Sequence, residues 1–328
     1  MNQDTQPPSG ANPVPWERSV LEKLALDALA EQRISRRWRV GLSISWLLLL
    51  FLLLFAILGW IGGKRDGSSL DKHTALVELK GVIASDSKAS ADKIIASLQH
   101  AFKDKNTQGV VLRINSPGGS PVQAGYINDE IKRLRAKHKD IPLYVVVQDI
   151  CASGGYYVAA AADKIFVDKA SIVGSIGVLM DGFGFTGTME KLGVERRLIT
   201  AGTNKGFLDP FSPVNPEQQK YAKQMVDEIH QQFIKIVKDG RGKRLKETPE
   251  MFSGLVWSGE KSVAVGLADG LGGLDYVARE IIKSEQIVDF TEEDSFSETL
   301  ARRLGTIAAD TFWNKILSGS VNGGQPVR

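Results

Sequence analysis

The sequence predicts an α/β domain with parallel strands that follows an N-terminal membrane-spanning helix. Between residues 74 and 200, short β-branched runs alternate with segments of helical periodicity, which is typical of parallel strands joined by helices. Near the start, residues 40–61 form a run of mostly apolar residues without a single charge. At about 1.5 Å per residue, this run is long enough to cross a hydrocarbon core of about 30 Å.

Composition narrows the classes of function. The chain has 328 residues, of which 43% are hydrophobic, so it can form one large domain or two small ones with appended segments. A net charge of +3 is too small to indicate binding to a phosphate backbone, and we expect no nucleic-acid partner. Cys151 is the only cysteine, and no Cys/His group has zinc-site spacing. We therefore expect no disulfide within the chain and no metal.

The N-terminal part divides into three segments. Residues 1–39 read as a cytoplasmic tail, residues 40–61 as the transmembrane helix, and residues 62–73, rich in Gly and Ser, as a tether. A retained anchor fits better than a cleaved signal peptide, because roughly forty mostly polar residues precede the apolar run. Positive charge is concentrated on the N-terminal flank, which predicts a cytoplasmic N-terminus. The arginines of that flank are Arg33, Arg36, Arg37 and Arg39.

Residues 74–287 read as the main domain. Its runs are, in order, ALVELKGVI, the helical SADKIIASLQHAFKD, GVVLRIN, the helical PVQAGYINDEIKRLRAKH, PLYVVVQDI, the helical SGGYYVAAAA and KIFVD. A long helix is predicted over residues 216–240, with Pro216 near its start and Gly240 after its end. Residues 288–328 form a C-terminal extension, acidic at first and then amphipathic. It could pack on a neighbour, lie on a membrane or be solvated.

Two glycine-rich loops follow predicted strands, and parallel strands present their C-terminal loops at one edge of a sheet. The second loop, ASGG at 152–155, places Ser153 where a strand gives way to a helix. Free N–H groups and the helix dipole would stabilise an oxyanion there. The first loop, NSPGGS at 115–120, could add the N–H of Gly119. Taken by themselves, the same strings are more typical of an N-cap serine and a Pro-Gly turn.

A base for this serine is harder to find. None of the four histidines, His73, His100, His138 and His230, lies in a glycine-rich loop after a strand, and no G-x-S-x-G motif is present. His100, His138 and His230 lie on or at the ends of charged helix patterns and are predicted to be solvated. A Ser-His-Asp arrangement is therefore disfavoured. Lys205, flanked mainly by small and apolar residues, remains, although lysine acts as a base only where its surroundings exclude water. Ser175 could hydrogen-bond the amine, while a surface lysine and a turn serine are the alternatives.

The strings NSPGGS, ASGGYYVAAAADKIFV, GSIGV and TAGTNKG occur in this order. Together they make the chain similar, over roughly residues 75–280, to the signal peptide peptidase A family of short bacterial Ser-Lys peptidases. The resemblance implies a ClpP/crotonase-like fold with Ser153 as nucleophile and Lys205 as general base. It further implies that Gly119 and Gly154 form the oxyanion hole and that Ser175 orients the lysine.

The resemblance also implies partners and a location. Substrates would be signal peptides remaining in the membrane after their release from preproteins, and other peptides, without a cofactor. The chain would be a single-pass protein of the bacterial inner membrane with a periplasmic or extracytoplasmic catalytic domain. It would form a homo-oligomer whose active sites are shared between subunits. A crotonase-like acyl-CoA enzyme and a non-catalytic membrane-anchored assembly scaffold are the alternative functions.

Overall fold

A computed structural model describes residues 38–54 and 71–292, together with Lys23 and Arg36. The chain divides into two compact units, Met1–Asp66 and Gly67–Arg328. In the first unit, residues 38–54 are helical and expose their apolar side chains. Within the described residues, no helix combines the length and the apolar character needed to cross a bilayer. Residues 55–61 of the predicted transmembrane helix, most of the predicted tail and tether, and residues 293–328 lie outside the described residues.

The second unit is built on one twisted sheet, which in the described part of the chain has eight strands. The central order is β6-β5-β3-β2-β1-β8, and β4 pairs with β3 and β7. All pairs are parallel except β5 with β6. The strands are β1 His73–Lys80, β2 Thr107–Ser116, β3 Leu143–Ala152, β4 Lys164–Val167, β5 Ile172–Gly174, β6 Val256–Ser258, β7 Gly270–Leu271 and β8 Ile287–Asp289.

Helices connect these strands in the predicted alternation. The α-helices are α1 Ala91–Lys103, α2 Pro121–Lys137, α3 Gly154–Ala159, α4 Thr186–Lys191, α5 Pro216–Arg241, α6 Gly259–Ala264 and α7 Leu274–Tyr276. A 3₁₀ turn, Gly242–Arg244, follows α5, and a π-helical segment, Val277–Ile282, follows α7. The mixed α/β class with a largely parallel sheet is confirmed, and it fits the ClpP-like architecture that the resemblance implies.

The ends of α5 illustrate why these segments are helical. The Asn215 side chain accepts hydrogen bonds from two N–H groups of the first turn, and Pro216 occupies the first helical position. The helix continues through Gly240 and ends at Arg241, so it is slightly longer than predicted. Gly240 is required for packing, because a Cβ there would lie 2.0 Å from the carbonyl O of Ala160. The helix stops where Gly242 takes a φ of +53°.

Both faces of the central strands are buried, as expected for a parallel sheet. In β2, Val110, Leu112 and Ile114 face the main core, which lies between the sheet and helices α1, α2 and α3. Val111 faces a smaller cluster on the opposite side, closed by Val277 of the π-helical segment. This double burial fixes the register of β2 and β3, so the loops at their carboxyl ends meet at one edge of the sheet.

Candidate active site

Ser153 lies between the last residue of β3 and the first residue of α3, and its backbone is strained. Its φ is 51° and its ψ is −123°, a conformation that L-residues other than glycine rarely adopt and that costs about 1–3 kcal/mol. Hydrogen bonds hold it on both sides: its N–H donates to the carbonyl O of Gly174 at 2.8 Å, and its own carbonyl accepts from the N–H of Tyr157 at 3.0 Å. Ser153 is half-buried at the carboxyl end of β3.

The glycine loop after β2 packs directly on this serine. A Cβ on Gly118 would lie 2.7 Å from both the Ser153 Cβ and the Gly154 N, and a Cβ on Gly154 would lie 3.3 Å from the Gly119 N. The N–H groups of Gly119 and Gly154 donate no hydrogen bond to any residue that the structure describes. The N–H groups of Gly119 and Gly154, which the sequence analysis predicts to be the oxyanion-hole donors, thus lie close together beside the proposed nucleophile Ser153.

Two further residues hold this loop, and the sequence analysis predicted neither of them. Ser116, which is fully buried, accepts a hydrogen bond on its Oγ from the N–H of Gly118 at 3.1 Å. Ile83 pairs with Gly119: the Ile83 N–H donates to the Gly118 carbonyl, and the Ile83 carbonyl accepts from the Ser120 N–H, each at 2.8 Å. Their roles could not be predicted from the sequence, because Ile83 resembles an ordinary core residue and Ser116 an ordinary turn serine.

Ser175 lies in the turn that follows β5, and it too has a positive φ, of 51°. Its N–H donates to the carbonyl O of Leu255 at 2.8 Å, and its carbonyl accepts from the Gly177 N–H at 2.9 Å. The preceding residue, Gly174, supplies the carbonyl that binds the Ser153 N–H. The structure therefore brings Ser175 next to the turn that contains Ser153, while its role in orienting the lysine stays a prediction.

Lys205 lies in a series of turns between α4 and α5 and is exposed in the single chain. Its N–H donates to the carbonyl of Gly202 at 3.1 Å, and among the described residues no hydrogen bond joins its side chain to Ser153 or Ser175. The nearby Asp209 is bound elsewhere: a hydrogen bond from the Ser212 Oγ, at 2.6 Å, and then contact with Arg196 lower the pKa of this carboxyl. The pairing of Lys205 with Ser153 stays a prediction.

Helix α5 contacts the segment that contains Lys205 and the turn that follows β5, at different points along its length. Near its start, the Gln218 Oε1 accepts a hydrogen bond from the N–H of Leu208, three residues after Lys205. Further along, the His230 Nε2 lies 3.1 Å from the carbonyl O of Ile176, in the turn beside Ser153. Gln218 and His230 are twelve residues apart, which is about 18 Å along a helix.

The other nucleophiles and bases of the sequence lie in different surroundings. Cys151 is buried in the core, and burial raises the pKa of its thiol, which disfavours the reactive thiolate. His73, read as part of the tether, is the first residue of β1 and is fully buried, with its Nδ1 3.0 Å from the carbonyl O of Asp71. Among the described residues, no group of three or more His, Cys, Asp or Glu side chains could hold a metal ion.

Comparison with known proteins identifies the family of this chain. The profile described as peptidase family S49 matches residues 135–308, more than half of the chain, and this range includes Ser153, Ser175 and Lys205. The chain belongs to peptidase family S49. The resemblance inferred from the sequence is thereby confirmed at the level of the family.

Named relatives agree with this assignment. A protein of Enterococcus faecium provisionally named signal peptide peptidase SppA is 30% identical over 235 residues, covering 69% of this chain and 67% of that protein. A protein of Methanocaldococcus jannaschii provisionally named a protease is 35% identical over 213 residues, covering 63% of this chain and 68% of that protein. The chain is thus an S49 peptidase of the signal peptide peptidase A type.

A third relative is of a different kind. A protein of Brucella melitensis named Na(+)/H(+) antiporter NhaA is 48% identical over 177 residues, which is 54% of this chain. The match spans only 24% of the length of that protein. The name of the whole antiporter therefore says nothing of what the matched quarter does.

Proposed function

We propose that this S49 peptidase is a membrane-anchored serine endopeptidase that uses a Ser153–Lys205 dyad to degrade signal peptides after their release from preproteins. The observation that carries the proposal is the strained Ser153 with the N–H groups of Gly119 and Gly154 beside it. Family membership favours this reading over an acyl-CoA enzyme and over a non-catalytic scaffold, because the family is one of peptidases.

The reaction proposed is acyl transfer to the serine. The neutral amine of Lys205 takes the proton of the Ser153 hydroxyl, and the Oγ forms a bond to the carbonyl carbon of the substrate. The carbonyl oxygen becomes an oxyanion that accepts hydrogen bonds from Gly119 and Gly154. The C–N bond then breaks as the lysine ammonium returns the proton to the leaving amine. Water, deprotonated by the same lysine, hydrolyses the acyl-enzyme and restores the serine.

Lysine is neutral near pH 7 only where water is excluded from its amine. A second subunit packed over Lys205 would exclude that water. The segment between β5 and α5 exposes large apolar side chains to an unusual extent: Ile199 is 96% exposed, Phe183 80% and Leu179 79%. Apolar surface of this kind is typical of a protein interface. We therefore propose a homo-oligomer in which this segment packs on a neighbouring subunit and brings Lys205 to the neighbour's Ser153.

The membrane anchor and the substrate are proposed together. Residues 38–54 form a helix whose apolar side chains are exposed, and the charge-free run continues in sequence to residue 61. Lipid would cover such a surface, with the arginine-rich flank in the cytoplasm and the catalytic domain on the extracytoplasmic or periplasmic face of the bacterial inner membrane. Anchoring would hold the site near signal peptides, the substrates that the name of the Enterococcus faecium relative indicates.

The proposal is tested with the full-length protein in detergent, using a fluorophosphonate that labels activated serines and a fluorogenic peptide. Ser153→Ala should lose both labelling and cleavage. Lys205→Ala should lose cleavage by at least about 100-fold, the lower range for removal of a general base. Lys191→Ala, which removes another exposed lysine of the same segment, should behave like the wild type.

Mixing the two inactive proteins tests the shared site. Subunits carrying Ser153→Ala and subunits carrying Lys205→Ala, co-expressed or exchanged, should together regain activity, because some sites then combine an intact serine with an intact lysine. Undiminished cleavage by purified Ser153→Ala protein would overturn the assignment of the nucleophile. Failure of the mixture to regain activity, with both parents assembled, would place the dyad within one chain.

A further inference from the structure

We infer that His230 is a positioning residue of this peptidase, which fixes the turn that supports the nucleophile. The turn is Gly174–Gly177, called here the support turn. Its first residue accepts the hydrogen bond from the Ser153 N–H, and its third, Ile176, accepts the bond from His230. The inference rests on the proposed function, in which Ser153 is the nucleophile.

The chemistry of the contact fixes the direction of the hydrogen bond. A carbonyl oxygen only accepts, so the His230 Nε2, 3.1 Å from the Ile176 O, must carry a hydrogen and donate it. The neutral tautomer protonated on Nε2 and the imidazolium both satisfy this requirement. His230 therefore cannot use its Nε2 as a base, and we expect it to affect the reaction only through the backbone that it holds.

The support turn needs such a restraint because its backbone is strained. Ser175, which is not a glycine, has a φ of 51°. Strained conformations persist only where surrounding contacts over-determine them. Two of the contacts are between backbone groups, Ser153 to Gly174 and Ser175 to Leu255. The bond from His230 is a side-chain contact on the same turn and joins it to a different element, α5.

Helix α5 is anchored in the core and can therefore hold the His230 side chain in place. Its C-terminal half is anchored in the core by Phe233, Val237 and Arg241, whereas its first part is mostly exposed. Phe233 lies three residues after His230, and therefore on the same side of the helix. Its ring contacts the ring of Tyr157 with centroids 5.1 Å apart, and the Tyr157 N–H binds the Ser153 carbonyl.

One side of α5 thus contacts the structure on both sides of Ser153. His230 restrains the support turn, which binds the serine N–H, and Phe233 packs on α3, which binds the serine carbonyl. The position of the nucleophile relative to the amides of Gly119 and Gly154 depends on these two attachments. A small displacement of reacting groups is enough to slow a reaction by about 100-fold.

The experiment compares three variants of the full-length protein in detergent. His230→Leu removes the N–H donor, His230→Gln keeps a side-chain amide N–H that can reach the same carbonyl, and Gln231→Leu alters an exposed neighbour on the same helix as a control. The readouts are kcat and KM for a fluorogenic peptide, the rate of fluorophosphonate labelling of Ser153, the thermal midpoint and the oligomer size.

His230→Leu should lower kcat and the labelling rate by about 10- to 100-fold while KM stays within about 3-fold, because alignment changes and the groove does not. His230→Gln should recover most of the loss, and Gln231→Leu should match the wild type. Should His230→Leu fail to fold, His230→Asn, whose shorter amide does not reach Ile176, takes its place with the same expectations.

Two results would overturn the inference. One is a labelling rate and kcat of wild-type size in a folded His230→Leu or His230→Asn protein. The other is a His230→Gln protein as slow as His230→Leu, which would show that the hydrogen bond is not the cause. Both leave Ser153 as the nucleophile, whereas labelling that persists in Ser153→Ala would overturn the proposed function itself.

Discussion

Gly119 shows how little space the proposed oxyanion hole leaves. Its φ is +145°, and a Cβ there would lie 2.1 Å from the carbonyl O of Ile83. A Cβ on Gly154 would lie 3.3 Å from the Gly119 N, so a side chain there would crowd the proposed donor. At the scale of the single residue, the site depends on the lack of a side chain at Gly119 as well as on the Ser153 hydroxyl.

Gly119→Ala is expected to disable the site. The methyl group cannot be accommodated against the Ile83 backbone, so the loop must shift and the amide N–H leaves its position. Loss of one oxyanion donor lowers kcat by about 100- to 1,000-fold, and we expect a loss of this size. Peptide cleavage and fluorophosphonate labelling measure it. Wild-type rates in a folded Gly119→Ala protein would exclude this amide from the oxyanion hole.

Helix α2 begins directly after the Gly119 loop, and its start is well defined. The Ser120 Oγ accepts a hydrogen bond from the N–H of Gln123, and Pro121 takes the first helical position. Within the helix, Gly125 has open space where a Cβ would be added. Glycine in a helix interior is less favourable than alanine because it loses more conformational freedom on folding. At the scale of the element, this position has no packing reason to be glycine.

Gly125→Ala is expected to stabilise the protein without changing the reaction. The gain should approach about 1 kcal/mol, which corresponds to a rise of about 2–4 °C in Tm for a domain of this size. Thermal unfolding followed by circular dichroism measures the shift, and peptide cleavage should be unchanged. The variant is also a matched control for Gly119→Ala, because both add one methyl group. A lowered Tm would show that the open space is needed for another contact.

At the scale of the whole molecule, an ion pair between Arg241 and Asp269 connects α5 to the sheet. Arg241, which is fully buried, donates from its Nη1 to the Asp269 Oδ2 at 2.8 Å and from its Nε to the Gly266 carbonyl at 2.9 Å. Asp269 also accepts from the N–H of Ile165 in β4 at 2.7 Å. Burial alone would raise the pKa of Asp269, but Arg241, the Ile165 N–H and Arg244 outweigh it and lower that pKa.

The stabilising effect of Asp269 should therefore depend on pH. Because its folded pKa lies below the ordinary value of 3.8, its contribution is present above that value and is lost as the pH falls through the folded pKa. Asp269→Asn leaves the Arg241 charge without its partner, so it should lower the free energy of unfolding at pH 7 by about 3–5 kcal/mol.

Urea unfolding at several pH values measures this effect. The gap between the wild type and Asp269→Asn should be largest near neutral pH and should narrow below about pH 4, as the wild-type carboxylate becomes protonated. Asp275→Asn, a carboxylate near the start of α7 without this buried partner, is the control and should change little. A gap that stays constant from pH 7 to pH 3 would contradict the role given to the charge of Asp269.

The sequence by itself determined the order of strands and helices from β1 to β4, the long helix α5, the glycine loops at strand ends, the place of Ser153 and the peptidase family. These are properties of short stretches of chain, where periodicity and turn residues act locally. It predicted His230 to be solvated, because the surrounding helix is charged, whereas the structure finds it half-buried and hydrogen-bonded to Ile176.

Only the tertiary structure decided how Gly118 packs on Ser153, how Ile83 holds Gly119 and how α5 restrains the support turn. It also revealed that Lys205 and its segment are exposed in the single chain. Such contacts join residues 30 or more positions apart in the chain. The free energy of these contacts arises only when the sheet and the helices pack together. Local sequence patterns extend over a few residues, so these contacts cannot be predicted from them.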